Sequence, residues 1–158
     1  MRLYAVLVGL ISDTHGLVRS EIFTAFQGVE LILHAGDVGG REVLTDLRAI
    51  APVRAVYGNT DPAGEPGLER SLRLELAGVT VHVSHGHELG SPRPDALLRH
   101  YDAEVIVYGH THRPLTQQNG RRLVVNPGAA GPRRFDLKPS VAVMTVDRGE
   151  TQVRLIWL

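Results

Sequence analysis

The chain has 158 residues and no cysteine, and its 17 acidic side chains balance 17 basic ones. That length sets an expectation of one domain over 1–158, with a core that removes roughly two-thirds of the unfolded surface from water. The missing thiols exclude disulfides, thiolate metal sites and cysteine nucleophiles, and the neutral balance excludes an overall basic field for nucleic acid.

Leu3 to Ile11 is almost wholly apolar and reads as a strand buried on both faces. It is followed by Ser12-Asp13-Thr14-His15, which is not a leader-peptide cleavage site, and no stretch reaches the length of a membrane span. The expected location is cytoplasmic. Val18 to Phe26 carries Val18, Ile22, Ala25 and Phe26 on one helical face. Leu31 to Leu33 is a second strand. Arg41 to Ile50 is a second helix, with the stripe Val43, Leu44, Leu47 and Ile50, ended by Pro52. Val53 to Tyr57 is a third strand. Such β-α-β-α-β alternation predicts parallel strands.

The pattern then changes. Ser71 to Leu76 and Val79 to Ser84, joined by Ala77-Gly78, predict a hairpin. A short helix over Pro94 to His100 follows, then strands over Glu104 to Tyr108 and Leu123 to Val125, with a tight turn at Gly120. Val141 to Val146 and Gln152 to Trp157 form a last hairpin. Parallel units followed by hairpins predict an α/β fold in which two mixed sheets pack as a sandwich flanked by helices. Three loops rich in proline and glycine, Asp61 to Leu68, Glu88 to Pro92 and Pro127 to Pro139, are candidates for substrate contacts.

Five apolar runs end in a short polar cluster: Asp13-Thr14-His15, Gly36-Asp37, Gly58-Asn59, His85-Gly86-His87 and Gly109-His110-Thr111-His112. In α/β sheets, functional groups gather beyond the carboxyl ends of strands. Asp13, His15, Asp37, Asn59, His85, His110 and His112 together offer two carboxylates, one amide oxygen and four imidazoles. One metal ion would leave ligands idle, whereas two ions sharing a carboxylate use the whole set. Nitrogen and oxygen donors suit Mn, Fe, Co, Ni or Zn rather than Ca or Mg. Two divalent ions with two carboxylates leave a net positive site that attracts phosphate and acidifies a bridging water to hydroxide. The expected chemistry is hydrolysis of a small phosphate ester.

As an ordered set, these clusters resemble the calcineurin-like metallophosphoesterases, in particular the small single-domain prokaryotic phosphodiesterases. The resemblance runs from Leu3 to about Gly128 and includes the turn Asn126-Pro127-Gly128. It implies a four-layer αββα sandwich and two transition-metal ions, with manganese the leading candidate. It assigns one ion to Asp13, His15 and His112 and the other to Asn59, His85 and His110. Asp37 bridges them, and Asp61 orients the Asn59 loop. It implies a dinuclear phosphodiesterase acting on small phosphodiesters through a metal-bridging hydroxide. Many relatives carry a histidine after the metal-binding asparagine as proton donor, but this chain has Thr60, a far weaker acid. His87 is the alternative donor, so the catalytic set is Asp13, Asp37, Asn59 and His87.

Competing readings are a phosphomonoesterase or nucleotidase, a nuclease, and a protein-binding scaffold of the same fold. No membrane or nucleic-acid partner is expected, and a homo-oligomer stays open. Of the other histidines, His34 is expected beside the site or in packing, and His82 on a solvated strand face. His100 is expected at the surface. Arg133-Arg134 is weak as a phosphate fork, since only Lys138 among the 17 basic residues is not arginine.

Overall fold

The computed structural model describes residues 5–134 and 136–158, so the first two residues of the predicted opening strand lie outside the described residues. In chain order the elements are β1 (Val6–Ile11), α1 (Glu21–Ala25), β2 (Leu31–His34), α2 (Arg41–Arg48), β3 (Val53–Val56), β4 (Leu68–Glu69), β5 (Leu72–Leu76), β6 (Val79–Val83), α3 (Pro94–His100), β7 (Val105–Val107), β8 (Leu115–Asn119), β9 (Arg122–Asn126), β10 (Ser140–Asp147) and β11 (Glu150–Trp157). They form a six-stranded sheet, β11-β10-β1-β2-β3-β4, and a five-stranded sheet, β5-β6-β7-β9-β8. Both sheets are mixed. β1, β2 and β3 run parallel, with β10 antiparallel to β1. In the second sheet β6, β7 and β9 run parallel, with β5 and β8 antiparallel at the edges.

Side-chain alternation builds four layers. Val6, Val8 and Leu10 point from β1 toward Val81, Val83, Val105, Val107 and Val125, and this apolar seam joins the two sheets. The opposite face of the first sheet presents Ile11, Ile32 and Val143 to Ile22 and Phe26 of the α1 segment and to Val43, Leu44 and Leu47 of α2. Leu97 of α3 covers Ile106 and Val124 on the far face of the second sheet. The two-sheet fold with outer helices is the one the sequence predicts. No helix among the described residues is long and apolar enough to cross a membrane.

Local departures have physical causes. α1 begins at Glu21, later than the pattern suggests. The amides of His15 and Gly16 are committed to the carbonyls of Asp37 and Val38, so the chain entering the helix is tied to the β2–α2 loop. The sequence pattern does not announce β8, because Leu115-Thr-Gln-Gln-Asn119 is a mostly exposed edge strand with little apolar patterning. Leu68 leaves the predicted loop to pair with Ala55.

Gly9 sits where the Phe26 ring crosses β1, and a Cβ there would stand 3.0 Å from three ring atoms. Phe26 is fully buried at this crossing. Phe26→Ala should therefore lower the unfolding free energy by about 3–5 kcal/mol. Urea unfolding checks this, and a loss below about 1 kcal/mol would mean that the helix layer contributes little.

Candidate metal centre

The parallel strands of both sheets aim their carboxyl ends at one rim of the sandwich, and all seven predicted ligands stand there. Asp13 and His15 follow β1, Asp37 follows β2, Asn59 follows β3, His85 follows β6, and His110 and His112 follow β7. Five of the seven sit at positive φ: Asp13 at 54°, His15 at 45°, Asp37 at 53°, His110 at 71° and His112 at 62°. Non-glycine residues rarely adopt this conformation, and it gathers at functional sites where the surroundings hold it.

The polar atoms converge. The Nε2 of His112 lies 3.3 Å from Asp13 Oδ1, and that of His15 lies 3.9 Å from it. Asp37 Oδ2 stands 3.7 Å from His15 Nε2 and 3.4 Å from His85 Nε2. Asn59 Oδ1 meets His85 Nε2 and His110 Nδ1 at 3.1 Å each. Two sets of donor atoms, from Asp13, His15 and His112 and from Asp13, Asp37 and His85, each lie within 4.8 Å of one another. Asp13 Oδ1 and His15 Nε2 are buried without a hydrogen-bond partner. His112 Nδ1 is likewise unpartnered. Buried polar atoms are nearly always paired, so such orphans gathered at one rim fit a site built for a cation.

The surrounding backbone is shaped to this cluster. A Cβ at Gly58 would fall on Asp37 Oδ1, and one at Gly109 on Ser12 Oγ, so only glycine lets these loops close on the carboxylates. Asp61, expected to orient the Asn59 loop, accepts the amides of Val38 at 3.0 Å, Gly39 at 3.1 Å and Gly58 at 2.9 Å. It thereby pins the β2 and β3 loops to each other.

Comparison with known proteins decides the family. Residues 6–149 match the model of the calcineurin-like phosphoesterase superfamily domain. The chain belongs to the calcineurin-like phosphoesterase superfamily. A probable metallophosphoesterase of Methanothermobacter thermautotrophicus is 36% identical over 96% of this chain and 92% of its own. Phosphodiesterase YfcE of Escherichia coli K12 is 30% identical over 75% of this chain and 76% of its own. Among solved structures, vacuolar protein sorting 29 from Cryptosporidium parvum superposes with a TM-score of 0.80 at 23% identity, covering 98% of each chain, a likeness of fold.

Hydrogen bonds orient the candidate ligand atoms. The Nδ1–H of His85 donates to Ala35 O at 2.7 Å, which leaves the Nε2 lone pair facing Asn59 and Asp37. Burial pushes the His85 pKa down, but the neighbouring Asp37 and Asp13 and the Ala35 carbonyl outweigh it and raise it above the ordinary histidine value. Burial pushes Asp37 up, yet His85 and the Thr60 amide hold it well below the usual carboxylate range. Asp13 is lowered too: burial opposes this, but His112, His85 and the Ser12 hydroxyl at 2.6 Å prevail. Burial lowers the pKa of His15 and His110, which favours the neutral imidazole, the form able to bind a metal ion.

Thr60 gives its backbone N–H to Asp37 Oδ1 at 3.0 Å, and its side chain is exposed. The His87 ring lies 5.3 Å from that of His85 and 6.3 Å from that of His110, at the edge of the cluster. His100 is exposed, as expected. His82 corrects the solvated-face reading, because it is only 7% exposed and its ring stacks on Tyr101 at 3.7 Å. The C-terminal end of α3 covers that face of β6, which alternation along β6 alone does not reveal. Two bracing residues carry no local sequence signal for their role. Ser12 orients Asp13, and Asn126 Nδ2 donates to Gly109 O at 3.1 Å and Thr111 Oγ1 at 3.0 Å, fixing the turn that carries His110 and His112.

His34 is fully buried under the site. Its Nδ1 accepts the Gly36 N–H at 3.1 Å. Thr14 Oγ1 donates to Val38 O, so it accepts a hydrogen bond from His34 Nε2–H at 2.9 Å. Both nitrogens are satisfied only in the neutral ring, and burial lowers the pKa to about 4. With the folded pKa below the unfolded value of 6.5, this stability is complete above pH 6.5 and is lost as pH falls toward 4. For the chelated protein, the stability gap between wild type and His34→Gln should shrink over that window by on the order of 3 kcal/mol. Urea unfolding at a series of pH values checks this, and a constant gap would contradict the neutral assignment.

Proposed function

We propose that this superfamily member is a phosphodiesterase working with two transition-metal ions on small phosphodiesters, one catalytic domain over 1–158, acting in the cytoplasm. Asp13, His15 and His112 would hold one ion, and Asn59, His85 and His110 the other, with Asp37 shared. The observation that carries this reading is the buried, unpartnered pair Asp13 Oδ1 and His15 Nε2 within the seven converging donors. The position of Asp37 Oδ2 between His15 and His85 supports a bridging role. The oxygen and nitrogen donor set suits manganese and equally the other divalent ions from iron to zinc. Bound there, two such ions would supply Lewis acidity toward a phosphoryl oxygen and lower the pKa of water.

The chain's own residues do the rest. Asp37 stays ionised through neutral pH because the Thr60 amide and His85 stabilise its negative form. Asp61 keeps the Asn59 loop seated against the β2 loop, so that Asn59 Oδ1 stays in reach of both His85 and His110. Thr60 places no imidazole beside Asn59. His87 is the remaining proton donor at the edge of the cluster, its Nδ1 lying 3.9 Å from Glu88 Oε1. The name of the Escherichia coli relative supports the choice of diesters over monoesters.

The test is hydrolysis of a panel of mono- and diesters by protein reconstituted with manganese, nickel, iron, cobalt or zinc. Diesters should be cleaved in preference to monoesters. Asp37→Asn should lose about 100-fold or more in turnover while keeping a wild-type circular dichroism spectrum and melting cooperatively. Near-normal turnover of the folded, metal-saturated variant would contradict the role of Asp37, and no hydrolysis by wild type with any metal would favour the scaffold reading.

A further inference from the structure

The two open sheets end in β4 and β11 and in β5 and β8, and these edges differ. β4 is two residues long, β5 carries Arg73 and Glu75, and β8 is the polar run Leu115-Thr-Gln-Gln-Asn119. Short length, charge and polarity keep a sheet edge from pairing with another chain. β11 is the exception. It stays in register with β10 over all eight residues, without proline, glycine or bulge, and it ends Leu155-Ile156-Trp157. Its only charges, Glu150 and Arg154, cancel, so a like strand is not repelled. Trp157, at 50%, is the most exposed large apolar side chain among the described residues.

The phase of the ladder decides which backbone groups of β11 are free. Leu158 N–H donates to Pro139 O at 2.9 Å. In an antiparallel ladder such bonds recur at every second residue, so Ile156, Arg154, Gln152 and Glu150 also turn theirs toward β10. Thr151, Val153, Leu155 and Trp157 therefore turn their N–H and C=O groups outward, away from the sheet. Their side chains share one face, and Val153 packs on the apolar seam between the sheets. The outward edge thus offers a row of donors and acceptors together with a row of apolar side chains.

We propose that β11 is an interface between two copies of this chain, paired antiparallel about a two-fold axis at Leu155, so that the two larger sheets become one. The side chains choose the register. An axis at Arg154 sets the two Arg154 side chains directly opposite each other, which is destabilising. An axis at Val153 sets Trp157 opposite Gly149, which has no side chain to meet it. An axis at Leu155 sets Leu155 against its own copy and Trp157 against Val153 of the other copy, an apolar ladder along the whole contact. β11 runs parallel to β1, so this pairing points the two rims in opposite directions and leaves both candidate metal centres open. The interface does not depend on the phosphodiesterase reading.

A single strand pair stands at the small end of protein interfaces, below about 1,200 Å² of buried surface, so the dimer is weak, with a Kd on the order of 10–100 μM. Sedimentation equilibrium of the full chain across that range should show wild type passing from monomer to dimer. Leu155→Lys, which puts two ammonium groups on the axis, should raise Kd by about tenfold or more. Leu155 is half-buried, so a second readout uses single cysteines in this cysteine-free chain. In Leu155→Cys the paired Cα atoms would stand about 5.5 Å apart, within disulfide reach, and mild oxidation should give a covalent dimer. In Thr151→Cys they would stand about 27 Å apart, at ~3.4 Å per residue, and the same oxidation should leave monomer. Hydrogen exchange of wild type supplies the backbone signature: the amides of Val153, Leu155 and Trp157 should slow as concentration rises. A wild type that stays monomeric throughout overturns the proposal. A dimer that folded Leu155→Lys leaves intact, or one that cross-links at residue 151 and not at 155, overturns it as well.

Discussion

Two carboxylates buried side by side set the terms for the whole rim of this protein. Asp13 is fully buried and Asp37 nearly so, and with His85 their oxygens lie within 4.8 Å of one another. Like charges this close and this dry are costly unless hydrogen bonds and positive charge compensate them. Each local feature answers that cost. Ser12 and the His110 amide donate to Asp13, the Thr60 amide donates to Asp37, and four imidazoles ring the pair. Among the buried polar atoms left without a partner, Asp13 Oδ1, His15 Nε2 and His112 Nδ1 stand at this rim, where a cation would complete the balance.

The fold makes that concentration of charge tolerable. Two sheets joined by an apolar seam fix the parallel strand ends on one rim, and the candidate ligands sit shortly beyond those ends. Reaching a common centre from different strands forces Asp13, His15, Asp37, His110 and His112 into the left-handed region. That strain is held by backbone bonds between neighbouring loops, such as Ala130 N–H to Ser12 O and Gly109 N–H to His85 O. The superfamily's chemistry thus rests on a stiff scaffold with a strained rim. A likeness of fold to vacuolar protein sorting 29 shows how widely this scaffold is shared.

Much of this was legible in the residues. Apolar runs ending in Asp, Asn and His clusters predict the parallel strands and the polar side chains that the rim brings together, because strand ends are where such sheets display polar groups. The periodicity of α2 and the Ala77-Gly78 turn were equally plain. Features created by tertiary contact were not. His82 looked solvated because nothing along β6 reports that Tyr101, nineteen residues later, will lie on it. The bond from Tyr101 to Glu88 spans α3 and follows no local pattern. β8 is polar and owes its pairing to β9, and α1 is shortened by bonds that His15 and Gly16 make to another loop.

The most direct measurement is anomalous diffraction from crystals grown with saturating manganese. The account predicts two peaks per chain flanking Asp37, one against Asp13, His15 and His112 and the other against Asn59, His85 and His110. A single fully occupied peak, with His85 and His110 away from it, would contradict the dinuclear centre.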